Sequence, residues 1–154
     1  MAKDQGQVRR VLQILGPEDQ ETLTILHDPP LLEELLRRQE TLAQVEAVGL
    51  AGGVDQPLPG VELPLRVFPA VIEELAVLPP PAQERLLRVH LPTLVAQPQE
   101  GLALTQLFRG LWISVSIIDD IEYRLVYHVD LESGLVTVLM IGTWAGLAER
   151  LGGG

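Results

Sequence analysis

Val8, Val11, Leu12 and Leu15 recur at i, i+3, i+4 and i+7 ahead of Gly16-Pro17, a spacing that predicts a short amphipathic helix. The run TLTIL at 22–26 is β-branched enough to predict a brief strand. Asp28 then stands as an N-cap before Pro29-Pro30, and the helix it starts should close at Gly49. Its apolar stripe holds Leu31, Leu35, Leu42 and Val45, while Glu33/Arg37 and Glu34/Arg38 are i,i+4 pairs expected on the outer face. Periodicity then dissolves. Gly52-Gly53, Pro57, Pro59 and Gly60 mark 50–63 as a linker between a helical extension at 1–49 and a domain at 64–154.

The second region is patterned throughout. A short strand at 65–68 leads into a helix with Val71, Ile72, Leu75 and Leu78 on one face. Pro79-Pro80-Pro81 ends that helix and opens another through 82–97, with Leu86, Leu87, Leu91 and Leu94 inward. Pro92 offers no N–H to the Arg88 carbonyl, so a kink or break is expected near Leu91. Strands at 112–118 and 123–129 flank an Asp119-Asp120 turn. A third, 135–141, follows Glu132-Ser133-Gly134, where glycine supplies a positive φ. A short helix is expected after Gly142. The expected class is α+β: a helical hairpin packed on a mostly antiparallel four-stranded sheet, preceded by a helical extension.

Composition narrows the chemistry. Cysteine is absent, which removes thiol catalysis, disulfides and thiolate metal sites. The net charge is −10, and Lys3 is the only lysine, so direct nucleic-acid binding is disfavoured unless the arginines converge on one face. The N-terminus carries Lys3, Asp4, Arg9 and Arg10 without an apolar core, unlike a secretory signal. The longest uncharged stretch, 133–148, is too short and too glycine-interrupted to span about 30 Å of hydrocarbon. A cytoplasmic protein with no membrane partner is expected.

Few residues invite a chemical role. Asp119, Asp120 and Glu122 suit a solvated turn better than a divalent-cation site. His27, His90 and His128 fall in three separate elements, so no metal or other cofactor is expected. Ser114 and Ser116 alternate on one strand with no base in view, leaving a serine nucleophile unsupported. Arg124 and His128 share one strand face and Tyr123, Leu125 and Tyr127 the other, so the second set is the expected core side. Trp112 and Trp144 suit packing or an interface.

Leu78-Pro79-Pro80 entering a helical hairpin, Gly110-Leu111 before a meander, Tyr123-Arg124-Leu125-Val126-Tyr127 and a closing Ile141-Gly142 together resemble the RelE/ParE toxin superfamily of toxin–antitoxin systems. The resemblance covers most of residues 64–150. Members of the ribonuclease branch of that family are similar in fold but basic, and they cleave ribosome-bound mRNA by driving a 2′-hydroxyl onto the adjacent phosphate. Such chemistry needs a base, a proton donor and positive charge on the developing phosphorane. The family supplies these from Lys or Arg on the second strand, an Arg after the final Ile-Gly, and often a C-terminal Tyr or His. Here the stretch from Leu111 to Tyr123 contains no Lys or Arg. The equivalent positions are Val115, Ile117 and Asp119, and Trp144 (or Thr143) replaces the late arginine. No catalytic residue carries over; Arg124, His128 and Arg150 are the remaining weak candidates.

Ile25-Leu26-His27-Asp28-Pro29 running into Leu31-Leu32-Glu33-Glu34-Leu35 also resembles the toxin-wrapping part of a Phd- or RelB-type antitoxin. An ordinary capped helix explains the same residues. The function implied is a toxin-fold protein without ribonuclease activity, acting through protein–protein contact. The alternative is a working toxin, either an endoribonuclease with relocated residues or a ParE-like inhibitor of a protein target. The stripe Leu31, Leu35, Leu42 and Val45 is the expected interaction surface. It would meet the toxin-like domain in cis, an antitoxin-like segment in trans, or a second copy in a homodimer.

Overall fold

A computed structural model of the chain describes residues 17–48, 56–57 and 65–152. The helix expected over 8–16 lies outside the described residues. The described residues begin with two helices, α1 (Pro17–Leu26) and α2 (Pro29–Val48). The strand expected at 22–26 is therefore helical. Its β-branched side chains are used in packing instead: Thr22 and Ile25, one turn apart, are both fully buried. Asp28 caps α2 as its sequence suggests, accepting the Leu31 N–H on Oδ1 at 3.4 Å.

The sheet has the order β1-β2-β6-β5-β4-β3. Its members are β1 (Gln56–Pro57), β2 (Leu65–Val67), β3 (Leu102–Ala103), β4 (Leu111–Ile118), β5 (Ile121–Val129) and β6 (Val136–Gly142). The class is α+β, but the sheet is larger and more mixed than four antiparallel strands. β2 runs parallel to β6, and the expected linker contributes β1, paired antiparallel with β2. Two-residue strands such as β1 and β3 leave no hydrophobic period to read, which is why the pattern missed them.

Between β2 and β3 run α3 (Pro69–Ala76), α4 (Pro80–Arg85) and α5 (Leu91–Ala96), with α6 (Trp144–Gly152) closing the chain. Leu86–His90 forms a π-helical turn between α4 and α5, in which the Leu91 N–H donates to the Leu86 carbonyl. Pro92 has no N–H for Arg88, and the helix absorbs the loss by widening one turn rather than by breaking.

The two faces of the meander are covered by different parts of the chain. Ser114 Oγ lies 2.9 Å from His90 Nε2, and the Tyr127 hydroxyl donates to the Pro98 carbonyl at 2.6 Å. The face of Tyr123, Leu125 and Tyr127 therefore meets the helical hairpin, as two-fold alternation implies. All three are buried. The opposite face, carrying Arg124, meets α1. Leu31, Leu35 and Leu42 are buried in the same core as the sheet. Val45 lies within α2, but its side chain is outside what is described.

Candidate functional site

The expected outer-face pairs of α2 are arranged differently from the i,i+4 reading. Glu34 does bond Arg38, with Nε to Oε2 at 2.7 Å, but it also takes Arg37 at i+3. Arg38 is not on the outside. It is 4 % exposed and lies on the buried stripe between Leu35 and Leu42. Its guanidinium forms a fork on Glu74 of α3, with Nη1 to Oε1 at 3.2 Å and Nη2 to Oε2 at 2.8 Å. β2 pairs with β6 only as far as Val138. Beyond that point Arg38 Nη1 donates to the Leu139 carbonyl at 2.7 Å, and Glu74 Oε1 accepts the Ile141 N–H at 3.2 Å. The ion pair thus stands in for a strand, satisfying backbone groups that β2 is too short to reach.

Burial pushes the Glu74 carboxyl above its ordinary value, with Arg38 and the Ile141 N–H pulling against it. For Arg38, burial opposes the charge, but the hydrogen bonds and attraction of Glu74 and Glu34 outweigh it and raise its pKa.

The resemblance directs attention to the other cation, Arg124 on β5. It is the only Lys or Arg between Leu111 and Gly142. Glu21 of α1 takes it in a two-pronged pair, Nε to Oε2 and Nη2 to Oε1 both at 3.0 Å. Glu122 accepts Nη2 as well, at 2.9 Å. The Trp144 indole N–H donates to the same Glu21 carboxylate at 2.9 Å, and the guanidinium carbon sits 5.4 Å from the centroid of the Trp144 ring. Arg124 is thereby fixed by an acid, an indole face and a neighbouring carboxylate, with side-chain exposure of 15 %. α1 is anchored beside this cluster: the Thr105 N–H donates to Thr22 Oγ1 at 3.0 Å and the Thr105 hydroxyl to Asp19 at 2.7 Å.

The remaining candidates do not converge on this point. Arg150 of α6 pairs with Glu73 of α3 at 3.4 Å. His128 is half-buried at the far end of β5, and Val115, Ile117 and Asp119 are exposed or nearly so. Asp119 and Asp120 form a two-residue turn with φ of 53° and 63°. Gly134 has φ of 76°, the left-handed geometry its turn requires. No group of three His, Asp or Glu suited to a metal ion occurs among the described residues. No described helix is long and apolar enough to cross a membrane.

One pairing escaped the sequence reading. His90 and Ser114 are 24 positions apart in sequence, yet their side chains are within hydrogen-bond distance. Burial lowers the His90 pKa. Among the described residues no acid orients the ring, so the pair binds helix to sheet and gives no sign of an activated nucleophile.

Comparison with protein-family models, with curated proteins and with solved structures finds no match.

Proposed function

We propose that this chain is a toxin-fold protein of the RelE/ParE type that acts by protein–protein contact and does not cleave RNA. The observation that carries this reading is the engagement of Arg124 by Glu21 and Trp144. Such cleavage needs cations aimed at the developing phosphorane, each typically contributing a few kcal/mol to the transition state. The meander supplies one arginine, and a carboxylate from the N-terminal helices already neutralises it.

The element order fits the same reading. A strand, a helical hairpin and a three-stranded meander follow one another, and the hairpin covers the face of Tyr123, Leu125 and Tyr127. In the family that this sequence resembles, an acidic antitoxin helix lies against the toxin. Here α1 and α2 of the same chain lie against the sheet and bring Glu21 and Arg38 to it. The extension then acts as a built-in partner of the sheet.

The test is incubation of the full chain, and of a Glu21→Ala/Glu122→Ala variant that removes both carboxylates from Arg124, with translating ribosomes. Neither should produce codon-position cleavage of mRNA above buffer. Cleavage by the variant alone would make the extension an inhibitor of a working ribonuclease and overturn the proposal.

A further inference from the structure

We infer that the open edge of β4 is a docking strand for an extended peptide that places acidic side chains toward α4 and the π-helical turn. The inference rests on the reading of this chain as an interaction protein and names the kind of partner it takes.

The edge is open for a geometric reason. β3 pairs with β4 only at Leu102↔Ile113 and Ala103↔Trp112, and the Leu104 N–H donates to the Leu111 carbonyl at 2.8 Å. The Leu111 carbonyl therefore points away from β5. In an antiparallel ladder the outward groups recur at every second residue, so those of Ile113, Val115 and Ile117 point the same way. Ile113 is used by β3. Among the described residues no strand lies beside Val115 and Ile117, and they are 36 % and 67 % exposed. An unpaired edge flanked by exposed β-branched side chains is a template for strand addition.

A cleft of about 510 Å³ follows this edge, between Ile117, Ile118 and Asp119 on one wall and Glu84, Arg85, Arg88 and Val89 on the other. A peptide paired to Val115 and Ile117 would turn alternate side chains into that cleft and the others toward Val115 and Ile117 themselves. The cations of the cleft stand out in a chain of net charge −10. Arg124 and Arg150 are held by Glu21 and Glu73. Arg85 forms no ion pair among the described residues. Arg88 meets only Glu84, at 3.4 Å, with both side chains well exposed, and such a pair exchanges partners at little cost. An incoming carboxylate thus gains Arg85 directly and competes for Arg88. Asp119 confines it to the helix side of the cleft. A second copy fits less well, because each copy is strongly acidic and two would repel.

The test uses the full chain and two short fluorescein-labelled peptides, one alternating valine with glutamate and one alternating valine with lysine. Fluorescence anisotropy should show the glutamate peptide bound roughly tenfold or more tightly than the lysine peptide, with amide NMR shifts at Val115 and Ile117. Ile117→Pro removes an outward N–H without touching the ladder to β5, and should abolish binding. The Arg85→Glu/Arg88→Glu pair should reverse the preference, which keeps the test decisive if the proline variant misfolds. Equal binding of both peptides, binding of neither, or an unchanged preference in the charge-reversed variant overturns the inference. So does a dimer in sedimentation that Ile117→Pro converts to monomer, since the edge would then belong to a second copy. The ribosome assay is independent of all these outcomes, so the inference can fail while the proposed function stands.

Discussion

Arg38 and Glu74, separated by 36 positions, form a buried ion pair whose Nη2–Oε2 distance is 2.8 Å, and each also bonds the backbone of β6. The pair joins α2 to the rest of the fold, as Glu21 with Arg124 and Thr22 with Thr105 join α1 to it. Removing Arg38 strips Glu74 of its salt-bridge partner in the core, and removing Glu74 leaves Arg38 with Glu34 alone. Arg38→Met and Glu74→Leu should each cost about 3–5 kcal/mol in urea unfolding, and the double variant less than their sum. Strict additivity of the two losses would show that the groups do not act together.

Truncation tests the extension as a whole. Deleting residues 1–48 removes Ile25, Leu31, Leu35 and Leu42 from the common core and strands Glu74 without its arginine. The remainder should self-associate or precipitate, as proteins with a large exposed apolar patch do. Sedimentation velocity checks this. A soluble monomer of undiminished stability would mean that the extension is a separate appendage.

Leu125 sits at the centre of the meander, between Ser114 and Ile141, and is fully buried. Leu125→Ala should lower stability by about 2–5 kcal/mol without altering the urea dependence, as a cavity in a packed core does. An unchanged melting curve would refute its assignment to the core.

Tyr127 sets an alkaline limit. Burial pushes its phenol up from 10.0 to about 12, against a smaller downward pull from the Gly101 backbone. A folded-state value above the unfolded one contributes stability that is complete below pH 10 and lost as pH rises through 12. Tyr127→Phe should therefore move the alkaline unfolding midpoint upward, while losing about 1 kcal/mol near neutrality with the bond to Pro98. Circular dichroism followed alongside phenolate absorbance decides the point.

Much of the architecture was legible in the chain. The apolar periods located α2, α3, the helical run to Ala96 and the meander strands, because each element must bury one face and its spacing records that need. Two-fold alternation also assigned Tyr123, Leu125 and Tyr127 to the core. Local patterning could not reveal the parallel β2–β6 pairing or the two-residue strands, which depend on partners distant in sequence. It misjudged 22–26, where burial of Thr22 and Ile25 in a helix outweighed β propensity.

The site divides in the same way. The absence of Lys and Arg between Leu111 and Tyr123 is a property of the sequence alone, and by itself it argues against phosphoryl transfer. A trace of the buried ion pair is present too, since Arg38 and Glu74 each interrupt an apolar stripe, at Leu35+3 and Val71+3. Their mutual contact is not in the sequence, nor is Glu21 meeting Arg124 across 103 positions. Those were decided by the tertiary structure. A charge buried on one helix can be tolerated only where folding brings an opposite charge and unsatisfied backbone groups within hydrogen-bond reach, and no local period encodes which distant element that will be.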